Sequence, residues 1–113
     1  MGRKIVVIDD EKLLLGAIER ALSKVGYEVF AVTSLKALRG VIAHAPFDLL
    51  ITDINLVDDN ADEVIDLVRL TSPAARVLLM SGSIDTYQCY SFIEKPFTIS
   101  GLRQKVKEML DGA

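Results

Sequence analysis

Five residues suited to metal or phosphoryl chemistry each stand just past a short apolar run: Asp9 and Asp10, Asp53, Ser81 and Lys95. Three carboxylates gathered together repel one another unless a cation shares them. A hard, oxygen-seeking cation with few protein ligands describes Mg2+, which keeps several waters and takes up a phosphate oxygen. A carboxylate is also a nucleophile able to form an aspartyl phosphate. Such a transfer depends on positioning and charge stabilisation, which a cation, the Lys95 ammonium and the Ser81 hydroxyl would supply. Taken singly, these residues say little. An acidic pair after a strand is usually a turn or a helix cap, Ser81-Gly82-Ser83 is an ordinary turn, and Lys95-Pro96 is a common dipeptide. Their specificity lies in standing together at the ends of four runs.

The runs themselves alternate with helix-period segments. Lys4 to Ile8, Tyr27 to Val32, Leu49 to Thr52, Arg76 to Met80 and Tyr90 to Glu94 read as strands. Leu14, Ile18, Leu22 and Val25 mark one face of a first helix, which Gly26 stops. Ser34 is placed to cap a second helix that Pro46 ends. Asn60 with Glu63 resembles a capping box ahead of a helix with Val64, Leu67 and Val68 inward. Leu102, Val106 and Met109 mark a last helix. Strand alternating with helix predicts an α/β fold, a doubly wound parallel sheet with helices on both faces. Runs one, three and four are apolar throughout, as central strands must be, and runs two and five read as edges. The order 2-1-3-4-5 satisfies this. Ligands then bind outside the carboxyl ends of the strands, where the five residues would converge.

One interval breaks the rhythm. Only nine residues, Ser81 to Cys89, separate Met80 from Tyr90, and a crossover with a full helix needs at least about 10–12. The helix between strands four and five is expected to be short or missing.

Composition narrows the field further. A chain of 113 residues, half of them hydrophobic, suits one domain, since domains cluster near roughly 100–150 residues. The net charge is −3, with 16 acidic against 13 basic residues and no cationic stripe, so direct nucleic-acid binding lacks an electrostatic footprint. The apolar run after Arg3-Lys4 is too short for a signal peptide, and no run approaches the about 20 apolar residues of a membrane span. A single cysteine, Cys89, forms no internal disulfide and reads as a small hydrophobe. His44 reads as a favourable charge near a helix end rather than a ligand. A soluble, cytoplasmic protein is expected.

The stretches Ile5-Val-Val-Ile-Asp9-Asp10-Glu11, Phe47-Asp-Leu-Leu-Ile-Thr-Asp53, Leu78-Leu-Met-Ser81-Gly82 and Phe92-Ile-Glu-Lys95-Pro96-Phe97 carry a family likeness. In order and almost in spacing, the chain resembles the receiver domain of bacterial two-component response regulators, over essentially its whole length. The resemblance implies a flavodoxin-like fold, a single receiver domain over 1–113, and phosphotransfer from a histidine kinase or histidine phosphotransfer protein. It implies a protein that catalyses only its own phosphorylation and dephosphorylation. Asp53 resembles the phosphoacceptor, Asp10 the direct magnesium ligand, Asp9 the ligand acting through water, and the Asn55 main-chain carbonyl a further ligand. Lys95 resembles the lysine that pairs with the phosphoryl group. Ser81 resembles the switch hydroxyl, and Phe92 the aromatic whose rotamer follows it.

The chain departs from the family at three points. Val57 and Ala61 stand where the family often has proline and glycine, in a loop that also carries Asp58, Asp59 and Asp62. The helix between strands four and five is curtailed, and with it the mechanical partner of Phe92. Apolar surface uncovered there would favour a weak homodimer or a partner helix. These departures motivate an alternative, a receiver-derived interaction domain that no longer switches. Flavodoxin-type phosphate binding is disfavoured by Asp9-Asp10-Glu11, and a dinucleotide site by the lack of glycines at that turn. A dehalogenase-type phosphatase would need an Asp-x-Asp pattern after strand one.

Overall fold

Parallel strands buried on both faces need apolar residues at every position, and three of the five runs meet that demand. The computed structural model describes residues 2–82 and 90–111. It places β1 at Lys4–Ile8, β2 at Glu28–Val32, β3 at Leu49–Asp53, β4 at Arg76–Ser81 and β5 at Ser91–Glu94. All pair in parallel in the order β2-β1-β3-β4-β5. Every residue of β3 is buried, whereas the edge strand β5 alternates half-buried and exposed.

Helices α1 (Lys12–Ser23), α2 (Leu35–Val41), α3 (Ala61–Thr71) and α4 (Ile99–Asp111) cover the two faces. The pleat divides each central strand between two cores. Val6, Ile8, Leu50, Val77 and Leu79 pack with Leu35 and Leu38 of α2 and Val64, Ile65 and Val68 of α3. Ile5, Val7, Leu49, Ile51, Leu78 and Met80 pack with Leu15, Ile18 and Leu22 of α1 and Leu102, Val106 and Leu110 of α4. Among the described residues no helix is long and apolar enough to cross a membrane.

Several expectations shift by a turn or less. Val25 lies beyond α1 and is exposed, because the chain closes the helix before it. The Tyr27 N–H bonds back to the Leu22 carbonyl across Gly26, whose φ of 99° is the left-handed value such a helix stop requires. Asn60 caps α3, but its Oδ1 accepts from the Asp62 N–H rather than from Glu63. Leu110 rather than Met109 is the buried residue at the end of α4, and Ile65 joins the inward face of α3. His44 ends a 3-10 turn, Ile42–His44, and stacks on Phe30. The expected loss of a helix between β4 and β5 falls on residues 83–89, outside the described residues, as does Cys89.

Two glycines should respond to alanine with opposite sign. A Cβ at Gly26 meets no atom within 4 Å, so Gly26→Ala isolates backbone strain and should lower stability by about 1–2 kcal/mol. Gly40 lies inside α2 with equally open space, and Gly40→Ala should raise stability by about 1 kcal/mol. Urea unfolding of both variants checks the pair.

Candidate functional site

The strand register brings the chemistry together. Ile8 pairs with Thr52, Asp53 with Met80 and Ser81 with Glu94, so the residues that end β1, β3, β4 and β5 stand side by side. Asp9 is fully buried, Asp53 is 5% exposed and Ser81 3%. Carboxylate oxygens of Asp9, Asp10 and Asp53 lie within 4.8 Å of one another.

Lys95 holds this cluster from the far side. Its Nζ donates to Asp9 Oδ2 at 3.0 Å and to Asp53 Oδ2 at 3.0 Å. It also reaches Glu11 Oε1 at 3.3 Å, a partner the residue pattern gave no reason to expect. The Lys95 N–H donates to the Ser81 carbonyl at 2.8 Å, which continues the β4–β5 ladder and fixes the root of the side chain.

Each carboxylate has further main-chain donors. Asp9 Oδ1 accepts from the Glu11 N–H at 2.8 Å, and Asp53 Oδ1 from the Asn55 N–H at 2.9 Å. Asp10 Oδ2 accepts from the Val57 N–H at 2.8 Å. The loop that carries the Asn55 and Val57 amides is tied at its other end, where Asp59 Oδ2 accepts from the Leu35 N–H at the start of α2. Ser34 Oγ caps the next free amide there, that of Ala37. Of the expected site residues, Asp9, Asp10, Asp53 and Lys95 cluster directly, Ser81 ends the strand beside them, and Asn55 donates from the loop after β3. Phe92 lies on β5 and is 40% exposed.

Charge is out of balance. Asp9, Asp10 and Asp53, with Glu11 at the rim, outnumber the one ammonium and leave an excess of negative charge. Burial pushes the Asp9 carboxyl above its ordinary value, against the pull of the Glu11 N–H and Lys95, and the charge of Asp53 adds to the rise. Burial opposes the charge of Lys95, yet the hydrogen bonds and charges of Asp53 and Asp9 outweigh it and raise its pKa. The rise at Lys95 reflects the carboxylates around it, whereas the rise at Asp9 is chiefly the cost of burying a charge. An oxygen-only donor set with excess negative charge fits Mg2+. Among the described residues, Asp9, Asp10 and Asp53 form the acidic cluster able to hold it.

A family model described as the response regulator receiver domain matches residues 5–107. The chain is 29% identical over 110 residues to the DNA-binding transcriptional regulator NtrC of Rhizobium meliloti (strain 1021), covering 89% of this chain and 22% of that protein. It is 28% identical over 119 residues to the sporulation initiation phosphotransferase F of Bacillus subtilis (strain 168), covering 97% of this chain and 95% of that one. The chain therefore spans about a fifth of the length of the first relative and nearly all of the second. The crystal structure of a CheY-like response regulator receiver domain protein from Methanospirillum hungatei JF-1 superposes with a TM-score of 0.86 at 23% identity. That match covers 99% of this chain and 96% of the other, and it shares the fold.

The charge excess predicts substitutions of opposite sign in metal-free buffer. Asp9→Asn removes one surplus charge and should raise Tm, while Lys95→Met strands two buried carboxylates and should lower stability by about 1–3 kcal/mol. A raised carboxyl pKa stabilises the fold fully only below the ordinary aspartate value of 3.8, and that contribution is lost as pH rises through the higher folded value. The gain from Asp9→Asn should therefore be present at pH 7 and vanish in acid. Thermal melts across that range check both signs.

Proposed function

Since the chain belongs to the response regulator receiver domain family, we propose that Asp53 accepts a phosphoryl group from a histidine kinase or histidine phosphotransfer protein, in a Mg2+-dependent reaction that switches a partner interaction. The observation that carries this reading is Lys95 Nζ, which sits 3.0 Å from both Asp9 and Asp53 and so marks where a phosphoryl oxygen would be met. An Asp53 oxygen forms the new P–O bond as the P–N bond of the donor phosphohistidine breaks. The freed imidazole keeps the electron pair. Asp53 keeps a narrow opening to solvent, whereas Asp9 has none, which favours Asp53 as the nucleophile.

Asp10 would hold the cation directly, Asp9 through water and the Asn55 carbonyl as a third protein group. The cation, when bound, neutralises charge on the transferred phosphoryl oxygens. Lys95 would trade its bond to Asp53 for one to the phosphoryl group without moving its backbone, which the Ser81 carbonyl fixes. The Ser81 hydroxyl, at the end of the neighbouring strand, would take another phosphoryl oxygen, and Phe92 would follow it. We read the chain as one receiver domain working in the cytoplasm, which modifies only itself and turns over no other substrate.

Incubation with acetyl phosphate and Mg2+ should add one phosphoryl group by intact mass, with none in the presence of chelator or in Asp53→Asn. An adduct of equal yield in Asp53→Asn would overturn the assignment of the nucleophile.

A further inference from the structure

Asp9 and Asp53 are each held by two partners, one main-chain N–H and Lys95. Among the described residues Asp10 has one, the Val57 N–H at 2.8 Å. Asp10 is also the least buried of the three and faces two like charges within 4.8 Å. Asp10 lines the open crevice beside Ser34 and Lys36, into which repulsion by the other two carboxylates would turn it without a restraint. The Val57 side chain is 81% exposed, so what this residue offers the site is its main chain.

We propose that the Val57 N–H is a positioning group for cation binding, which keeps the Asp10 carboxylate in the ligand cluster. This rests on the reading that the acidic cluster takes up Mg2+. Position 57 is where the resembled family often has proline, which has no N–H to give; valine supplies the donor. The donor is itself well placed. Its loop is anchored at one end by the Asn55 N–H on Asp53 and at the other by Asp59 on the Leu35 N–H of α2. Asp10 Oδ2 is engaged by the amide, which leaves Oδ1 and the remaining lone pair of Oδ2 for a cation. Hydrogen bonds that orient a ligating carboxylate in this way typically carry 10–100-fold in metal affinity, and this one lies near the surface.

The test replaces only the N–H. Semisynthesis with 2-hydroxyisovaleric acid at position 57 turns the amide into an ester and keeps the side chain. The same exchange at Asp58, whose N–H reaches none of the three carboxylates, is the control. Mg2+ is titrated calorimetrically into the unmodified chain and both esters, and the amide spectra of all three are compared for folding. The ester at 57 should weaken binding about ten-fold, at the lower end of that range, while the ester at 58 stays within about two-fold. In the unmodified chain the Val57 amide resonance should shift with the same saturation curve as the heat. An ester at 57 that binds as well as or better than the unmodified chain overturns the proposal, as does equal weakening by both esters. Absence of Mg2+ binding by the unmodified chain overturns both this proposal and the cation reading beneath it.

Discussion

Three aspartates crowd together beside one ammonium at the carboxyl edge of this sheet, and most of the local hydrogen bonds answer that imbalance. Lys95 bridges Asp9 and Asp53, and main-chain N–H groups of Glu11, Asn55 and Val57 each take one carboxylate oxygen. These donors make a buried acidic cluster tolerable without removing its excess charge. What remains is the charge excess on which the proposed uptake of a divalent cation and a phosphoryl group rests.

The fold serves the site through register. Parallel pairing ends β1, β3, β4 and β5 within two residues of one another along the sheet, so a single carboxyl edge presents all the groups. The two cores hold that edge rigid from either face, with α2 and α3 on one side and α1 and α4 on the other. The loop after β3 then links the site to α2. Asp59 caps the α2 N-terminus, and Val57 touches Asp10 from the same short segment. A displacement of Asp10 would therefore be felt where α2 begins.

Much of this was legible in the residues. The apolar runs showed which strands are central, and the polar residue after each run showed where the chemistry would sit. Asp9, Asp10, Asp53, Ser81 and Lys95 converge as that pattern implies. The pattern failed where main-chain atoms decide. Valine in place of proline at position 57 shows that an N–H is present but not which carboxylate it meets, and the Asp62 amide rather than that of Glu63 meets the Asn60 cap through local loop geometry. The reach of Lys95 to Glu11 joins residues 84 apart in sequence, which periodicity cannot foresee. Val25 was misplaced for a similar reason, because the stop at Gly26 takes a full turn of chain to close.

Asp53, among several neighbouring acids, is the residue proposed to carry the phosphoryl group. Borohydride reduces an acyl phosphate to the alcohol and so converts the modified aspartate to homoserine. After treatment of the chain with acetyl phosphate and Mg2+, peptide mapping should place homoserine at position 53 alone. Homoserine at Asp9, Asp10, Asp58 or Asp59, or at no position, would contradict the account.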